Sequence, residues 1–261
     1  MTDIIANQEV GSNRYRVPIF SEINIEKDIE YGEVKDYQGN NLSLLLDLYT
    51  PAGDAEKNRP TIFFIHGGGF KIGKGKDKTQ NYIVTLANEF TKRGYVSIVI
   101  DYRVRPNPEE DWLSSLKDAV SDAMLALDWV RQNSLTYGID KERIAICGGS
   151  AGGMMGVNLC SLDWNKKGIM ALVNLWGSPD PRLMLGSINK NTPPTLIIHA
   201  TQDPQVSFSW SEKLVQELKD KGVYHVLHSL EGAGHPPKEH MDKIIDYMTD
   251  FLYQVLIPPK N

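Results

Sequence analysis

Residues 143–153 read Arg-Ile-Ala-Ile-Cys-Gly-Gly-Ser-Ala-Gly-Gly, an apolar run that breaks into glycines around a serine. The run Arg143–Cys147 has strand composition, and the small residues 151–161 after it suit a helix. Gly148-Gly149-Ser150-Ala151-Gly152 is therefore a G-x-S-x-G placed in a strand-to-helix turn. Flanking glycines relieve close backbone contacts, and a sharp turn lifts the Ser150 hydroxyl above the sheet edge. A helix that begins there aims its amino-terminal amides at any negative charge formed above the serine. The alternative is a glycine-rich turn with an incidental serine. The strand before it and the helix after it favour the chemical reading.

Working outward, the same strand-then-helix alternation repeats. Thr61–Ile65 and Tyr95–Ile100 are short apolar runs. Between them Ile83, Leu86, Ala87 and Phe90 recur at helical spacing, and Gly94 follows Lys92-Arg93 as a stop. Leu113, Leu116, Val120, Ala123, Leu127 and Val130 mark one face of a long helix. Downstream, Ile169–Trp176, Thr195–His199 and Tyr224–His228 are strands, with helices around Leu214–Leu218 and Met241–Val255. Ile29–Val34 and Leu42–Tyr49 are also strands, the second partly exposed because Ser43, Asp47 and Thr50 interrupt its leucines. Continuous apolar strands are buried on both faces, and the helices supply the crossovers that parallel strands need. The pattern predicts a mostly parallel, doubly wound α/β sheet with an antiparallel amino-terminal edge. Ligands of such sheets bind beyond the carboxyl ends of the strands.

The loops at those ends hold the candidate residues. After 61–65 comes His66-Gly67-Gly68-Gly69-Phe70, whose unshielded amides can donate to a tetrahedral oxyanion. The oxyanion hole is assigned to the amides of Gly68, Gly69 and Ala151. Neither G-x-G-x-x-G nor G-x-x-x-x-G-K-[ST] fits this loop, which argues against phosphate binding. His66, directly under the glycines, suits a structural hydrogen bond better than a base. After 195–199 comes Asp203, and after 224–228 comes His235 in Gly232-Ala-Gly-His235. A nucleophilic serine needs a base within reach, and the base needs an anion to hold its tautomer. Ser150, Asp203 and His235 each follow a separate buried strand and can converge at one sheet edge. Asp203 can alternatively cap the helix near Ser207, and Asp180 is the rival acid. His199, His225, His228 and His240 read as strand or surface residues.

Composition bounds the rest. The chain has 261 residues, 41% hydrophobic and 23% charged, with a net charge of −5, which disfavours nucleic acid as a partner. No run of 18 apolar residues occurs, so no spanning helix is expected. Cys147 and Cys160 fit neither a disulfide framework nor a zinc spacing, and Met1–Gln8 lacks the pattern of a signal peptide. A cytoplasmic location and a monomer or homodimer are expected, without metal. One domain spans 1–261, with residues 1–28 as a polar arm. Tyr15, Ile19 and Phe20 in that arm either fold over the site mouth as a partial cap or pack elsewhere on the surface. Residues 177–194 leave room for a short flap, not a large lid. Lys71, Lys74, Lys76 and Lys78 read as a solvated loop.

The motifs in order are LDLYTP at 46–51, HGGGF at 66–70, DYR at 101–103, GGSAGG at 148–153, TQDPQV at 201–206 and GAGH at 232–235. Together they resemble the α/β-hydrolase carboxylesterases, in the branch shared by hormone-sensitive-lipase-like and bacterial feruloyl and acetyl-xylan esterase-like enzymes. The resemblance spans residues 29–255. Gly149 and Pro236-Pro237 depart from the usual pattern. The resemblance implies an acyl-serine mechanism on a small-molecule ester, with no cofactor. It also implies that Asp101-Tyr102-Arg103 braces the oxyanion loop. The small flap predicts short acyl groups, acetyl to butyryl, and the resemblance implies a carbohydrate-bound acetyl or feruloyl ester as one substrate class. A formamidase, lactone hydrolase or peptidase would use the same machinery, and a non-catalytic binding module would lose part of it.

Overall fold

The computed structural model describes residues 13–162, 167–232 and 234–257. The apolar runs form the middle of an eight-stranded sheet. Its strands are β1 (Ile23–Lys35), β2 (Asn41–Pro51), β3 (Arg59–Ile65), β4 (Val96–Ile100), β5 (Ile139–Gly149), β6 (Ile169–Leu175), β7 (Thr195–Ala200) and β8 (His225–Leu230). The order across the sheet is β1-β2-β4-β3-β5-β6-β7-β8. Strands β4, β3, β5, β6, β7 and β8 are mutually parallel, and β2 runs against both β1 and β4. This is the α/β-hydrolase fold, with the antiparallel edge where the sequence places it.

Every residue of β3 and β4 is buried, as central parallel strands require. Their side chains alternate between two cores. Phe63 and Ile65 join one face with α2 (Trp112–Gln132), α4 (Ala151–Ser161) and α5 (Phe208–Asp220). Ile62 and Phe64 join the other with α1 (Asn81–Lys92) and α6 (Met241–Leu256). A further short helix, α3 (Ser134–Tyr137), precedes β5. The chain moves outward from β3 to β4, then returns to the far side of β3 for β5. The loops after β3 and β5 therefore leave in opposite directions and open a crevice between them.

Two expectations change. Residues 23–28 belong to β1, not to the arm, so the strand is longer than predicted. Most of this stretch is exposed, and a register shift with Asp28 at φ 56° interrupts the alternation, which removes the apolar signal. Asp47 and Lys78, read as exposed, are buried together. Lys78 Nζ reaches Asp47 at 2.9 Å and Asp28 at 2.6 Å. Burial alone would lower the ammonium pKa, but the two carboxylates outweigh it and raise it to about 12.

The described part of the arm does not cover the crevice. Tyr15 N–H donates to the Arg93 carbonyl at 2.8 Å, and the amides of Ile19 and Phe20 donate to that of Lys92 at 2.9 and 3.0 Å. The Tyr15 ring packs edge-on against Tyr95 at 4.9 Å. Residues 92–95 lead into the amino end of β4, the sheet edge opposite Ser150. Residues 1–12 lie outside the described residues.

Asp54 ties this arm to β3. It accepts from Arg14 at 3.1 and 2.5 Å and from Arg59 Nε at 2.7 Å. Burial raises the carboxyl, but the two guanidinium groups more than offset it and hold it at about 2. A depressed carboxyl contributes stability fully present above its unfolded pKa and lost as pH falls through its folded one. Asp54→Asn should therefore cost on the order of 2 kcal/mol at neutral pH. In urea titrations that difference should shrink as pH falls from about 4 to about 2. A difference independent of pH would contradict this role.

Candidate active site

The turn after β5 carries the local strain. Ser150 has φ 54° and ψ −124°, and its amide donates to the Leu175 carbonyl at 2.9 Å. Phe70 and Trp176, at φ 57° and 41°, are also left-handed, and both line the same cavity as Ser150. A Cβ on Gly152 would run into the Ile65 carbonyl, so only glycine lets α4 start this close to the end of β3.

Three loops bring the predicted residues together. Ser150 Oγ lies 2.8 Å from His235 Nε2. His235 Nδ1 lies 2.7 Å from Asp203 Oδ2. The other carboxylate oxygen accepts from the amides of Gln205 at 2.8 Å and Val206 at 2.9 Å. The Asp203 side chain is fully buried. Burial would raise its carboxyl, but the Val206 amide, His235 and the Gln205 amide outweigh that and hold it below the ordinary value. Asp203 is thus ionised where it faces His235. The rival Asp180 is occupied elsewhere, capping residues 181–183 and pairing with Arg182. Ala233, within the glycine turn before His235, lies outside the described residues.

The glycine loop faces Ser150 across the crevice. Gly67 N–H donates to Gln80 Oε1 at 2.9 Å and to the Tyr82 hydroxyl at 3.2 Å. Tyr82 in turn donates to the Gly149 carbonyl at 3.3 Å, tying this loop to the serine turn. Among the described residues, the amides of Gly68, Gly69 and Ala151 meet no acceptor. Gly68, Gly69, Ala151, Ser150 and His235 all line one cavity of about 990 Å³. Gly68 holds φ 118°, and a Cβ there would strike Lys76.

His66 serves the loop, as its position suggests. Its Nδ1 lies 2.6 Å from the Gly67 carbonyl and must donate to it. Burial takes the imidazole down to about 4, so it is neutral at pH 7. Tyr102 stacks on it at 4.3 Å and donates to the His66 carbonyl at 2.9 Å. Asp101 accepts from Lys78 N–H at 2.8 Å, and burial pushes its carboxyl up to about 6. Arg103 grips buried Asp122 at 2.7 Å. Asp101 and Tyr102 thus brace the loop from behind, while Arg103 is tied to α2 instead.

The flap at 177–194 is short and pinned. Asn158 of α4 donates to the Leu183 carbonyl at 3.2 Å and accepts from Leu185 N–H at 2.6 Å. Leu183 and Met154 line the cavity beside Trp176 and Trp210. Met155 is fully buried. Among the described residues, no cluster of three His, Cys, Asp or Glu side chains could hold a metal ion. No described helix is long and apolar enough to cross a membrane.

The chain has the α/β-hydrolase fold. The BD-FAE family matches residues 46–171, and the prolyl oligopeptidase family matches residues 182–257. Esterase LipC of Mycobacterium tuberculosis is 24% identical over 243 residues, covering 76% of this chain and 58% of that protein. The probable carboxylic ester hydrolase LipM of the same organism is 30% identical over 135 residues, 52% of this chain. The chain spans 28% of the length of LipM and 34% of that of the para-nitrobenzyl esterase of Bacillus subtilis. The native structure of Est2, a thermophilic esterase from Thermogutta terrifontis, superposes with a TM-score of 0.63 at 25% identity, covering 97% of this chain and 100% of that one. An esterase from Pyrobaculum calidifontis gives 0.66 at 19% identity, over 97% and 93% of the two chains.

Sequence reading missed three residues of this α/β-hydrolase site. Gln80 and Tyr82 were hidden as ordinary polar and core positions near the start of α1. His199, read as a strand or surface residue, is fully buried beside Asp203. Its signal was a histidine on a buried strand four positions before the acid.

Tyr102 gives a direct check on the brace. Tyr102→Phe removes one buried hydrogen bond to the loop and should cost about 1 kcal/mol. Thermal unfolding at matched concentration reads this out, and a variant as stable as wild type would contradict it.

Proposed function

We propose that this α/β-hydrolase is a serine carboxylesterase acting on small soluble esters with short acyl groups, acetyl to butyryl. The observation that carries the reading is the chain Ser150–His235–Asp203 at 2.8 and 2.7 Å, facing amides that meet no acceptor among the described residues. His235 accepts the Ser150 proton as the hydroxyl attacks the ester carbonyl. The oxyanion is received by the amides of Gly68, Gly69 and Ala151. Asp203 holds the imidazole in its Nδ1–H tautomer and stabilises the imidazolium. The alcohol leaves with the proton from His235, and water then releases the acyl group by the same relay.

The acyl preference is supported by the flap, which Asn158 fixes against α4 and which carries no long apolar helix. Trp112, Trp176 and Trp210 line the cavity and offer flat apolar faces to an alcohol group such as an acetylated sugar. The proposal treats residues 1–261 as one domain and places it in the cytoplasm, where the buried thiols Cys147 and Cys160 would stay reduced. The match of residues 182–257 to the prolyl oligopeptidase family favours an amide substrate as a second reading.

The experiment is a panel of p-nitrophenyl esters and a peptide p-nitroanilide. Acetate and butyrate should give the highest kcat/KM, laurate less, and the anilide little. Higher kcat/KM on laurate would refute the short-acyl reading, and a preference for the anilide would favour the peptidase. Ser150→Ala should lower kcat by a factor on the order of 10⁶. Near-normal activity in that variant would refute the assignment of the nucleophile.

A further inference from the structure

Behind Asp203 lies a buried polar chain that the acyl-transfer mechanism does not use. Asn174, Ser178, Ser211 and His199 are all fully buried. Gly177 N–H donates to Asn174 Oδ1 at 3.0 Å, which fixes the amide orientation. Asn174 Nδ2 therefore donates to Ser178 Oγ at 3.0 Å. Ser178 Oγ lies 2.7 Å from Ser211 Oγ, and Ser211 Oγ lies 2.7 Å from His199 Nδ1. His199 Nε2 lies 3.1 Å from the Val206 carbonyl and 3.3 Å from Asp203 Oδ2.

The two ends dictate the direction of every proton between them. An amide NH₂ can only donate, so the Ser178 hydroxyl passes its own hydrogen to Ser211. Ser211 then donates to Nδ1 of His199, which leaves the imidazole proton on Nε2. The far end demands the same arrangement, because a bare Nε2 would face a carbonyl and a carboxylate with its lone pair. The reverse polarity leaves the Ser178 hydroxyl without an acceptor and sets like partial charges together. Burial pushes the His199 imidazole down, so it is neutral at pH 7.

The chain also closes on the nucleophile. A Cβ on Gly177 would strike the Ser150 carbonyl, and one on Gly153 would strike Asn174 Oδ1. The serine turn thus packs against one end of a hydrogen-bonded chain that joins β6 and α5 to the Asp203 turn. We propose that the chain Asn174–Ser178–Ser211–His199 holds His199 in its Nε2–H tautomer and so positions Asp203, and through it His235. His199 is a positioning residue of the proposed esterase site, and its catalytic consequence rests on that reading. The Nε2–H group pins the carbonyl of Val206, a residue whose amide N–H holds Asp203 Oδ1, and it gives Oδ2 a second N–H neighbour beside His235. Networks of this kind act as a unit, so loss of an inner member is felt at the outer end.

The test has a spectroscopic arm and a kinetic arm. A long-range ¹H–¹⁵N correlation spectrum of histidine-labelled protein at pH 7 should show His199 as the neutral Nε2–H tautomer. An Nδ1–H or charged imidazole overturns the proposal. His199→Leu should lower kcat on p-nitrophenyl acetate by about 10- to 100-fold with KM within about twofold. His199→Gln, which keeps an N–H aimed at Val206, should recover to within about fivefold of wild type. A folded His199→Leu protein with wild-type kcat overturns the proposal. If His199→Leu fails to fold, Ser211→Ala gives the same reading. It should release His199 into a mixture of tautomers and lower kcat by about 3- to 10-fold. An unchanged tautomer with unchanged kcat overturns the proposal. A wild-type protein inactive on all esters counts against the esterase reading instead, and the tautomer spectrum still decides the direction of the chain.

Discussion

The backbone of Gly152 lies so close to the carbonyls of Ile65 and His66 that no side chain fits between them. This contact sets how close the start of α4 lies to the end of β3, and the rest of the site follows from it. Ser150 must turn through a left-handed conformation to let α4 begin there. The glycine loop must cross directly above that turn. Strain at Ser150 is held by bonds on both sides, from its own amide to Leu175 and from Tyr82 to Gly149. A residue in a sparsely populated conformation persists only when its surroundings over-determine it, and this one is over-determined.

Electrostatics repeat the same logic at the acid. Asp203 is fully buried, and it stays ionised because backbone amides and His235 replace the water it has lost. Nearby, His66 lies in an equally buried place without an anion in hydrogen-bond contact, and it stays neutral. Two histidines near one crevice are thereby given different work. One is placed to exchange a proton with Ser150, and the other ties down a loop. His199 is a third, neutral and directional. The site is ordered less by charge pairs than by hydrogen bonds whose direction is fixed.

Much of this was legible in the residues. Central strands such as Thr61–Ile65 are apolar throughout because both faces are covered, and that signal survives any tertiary detail. Ser150 and Asp203 stand out because each lies just beyond such a strand, whereas His235 follows β8, a half-buried edge strand, and is marked by its glycine turn instead. The first half of β1 was not legible, since an edge strand with little burial has no reason to alternate. Lys78 and Asp47 were misread because each is polar alone, and the pairing that buries them joins a loop to a strand 31 positions away. His199 was missed for a related reason. A histidine on a strand becomes informative only when Ser211, from the following helix, is seen to fix its proton.

The central claim is that Ser150 is a nucleophile activated by His235. Intact-mass spectrometry after brief treatment with a fluorophosphonate, followed by peptide mapping, tests it most directly. The account predicts a single adduct on Ser150, lost in His235→Ala protein. An unmodified protein, or an adduct on any other residue, would contradict it.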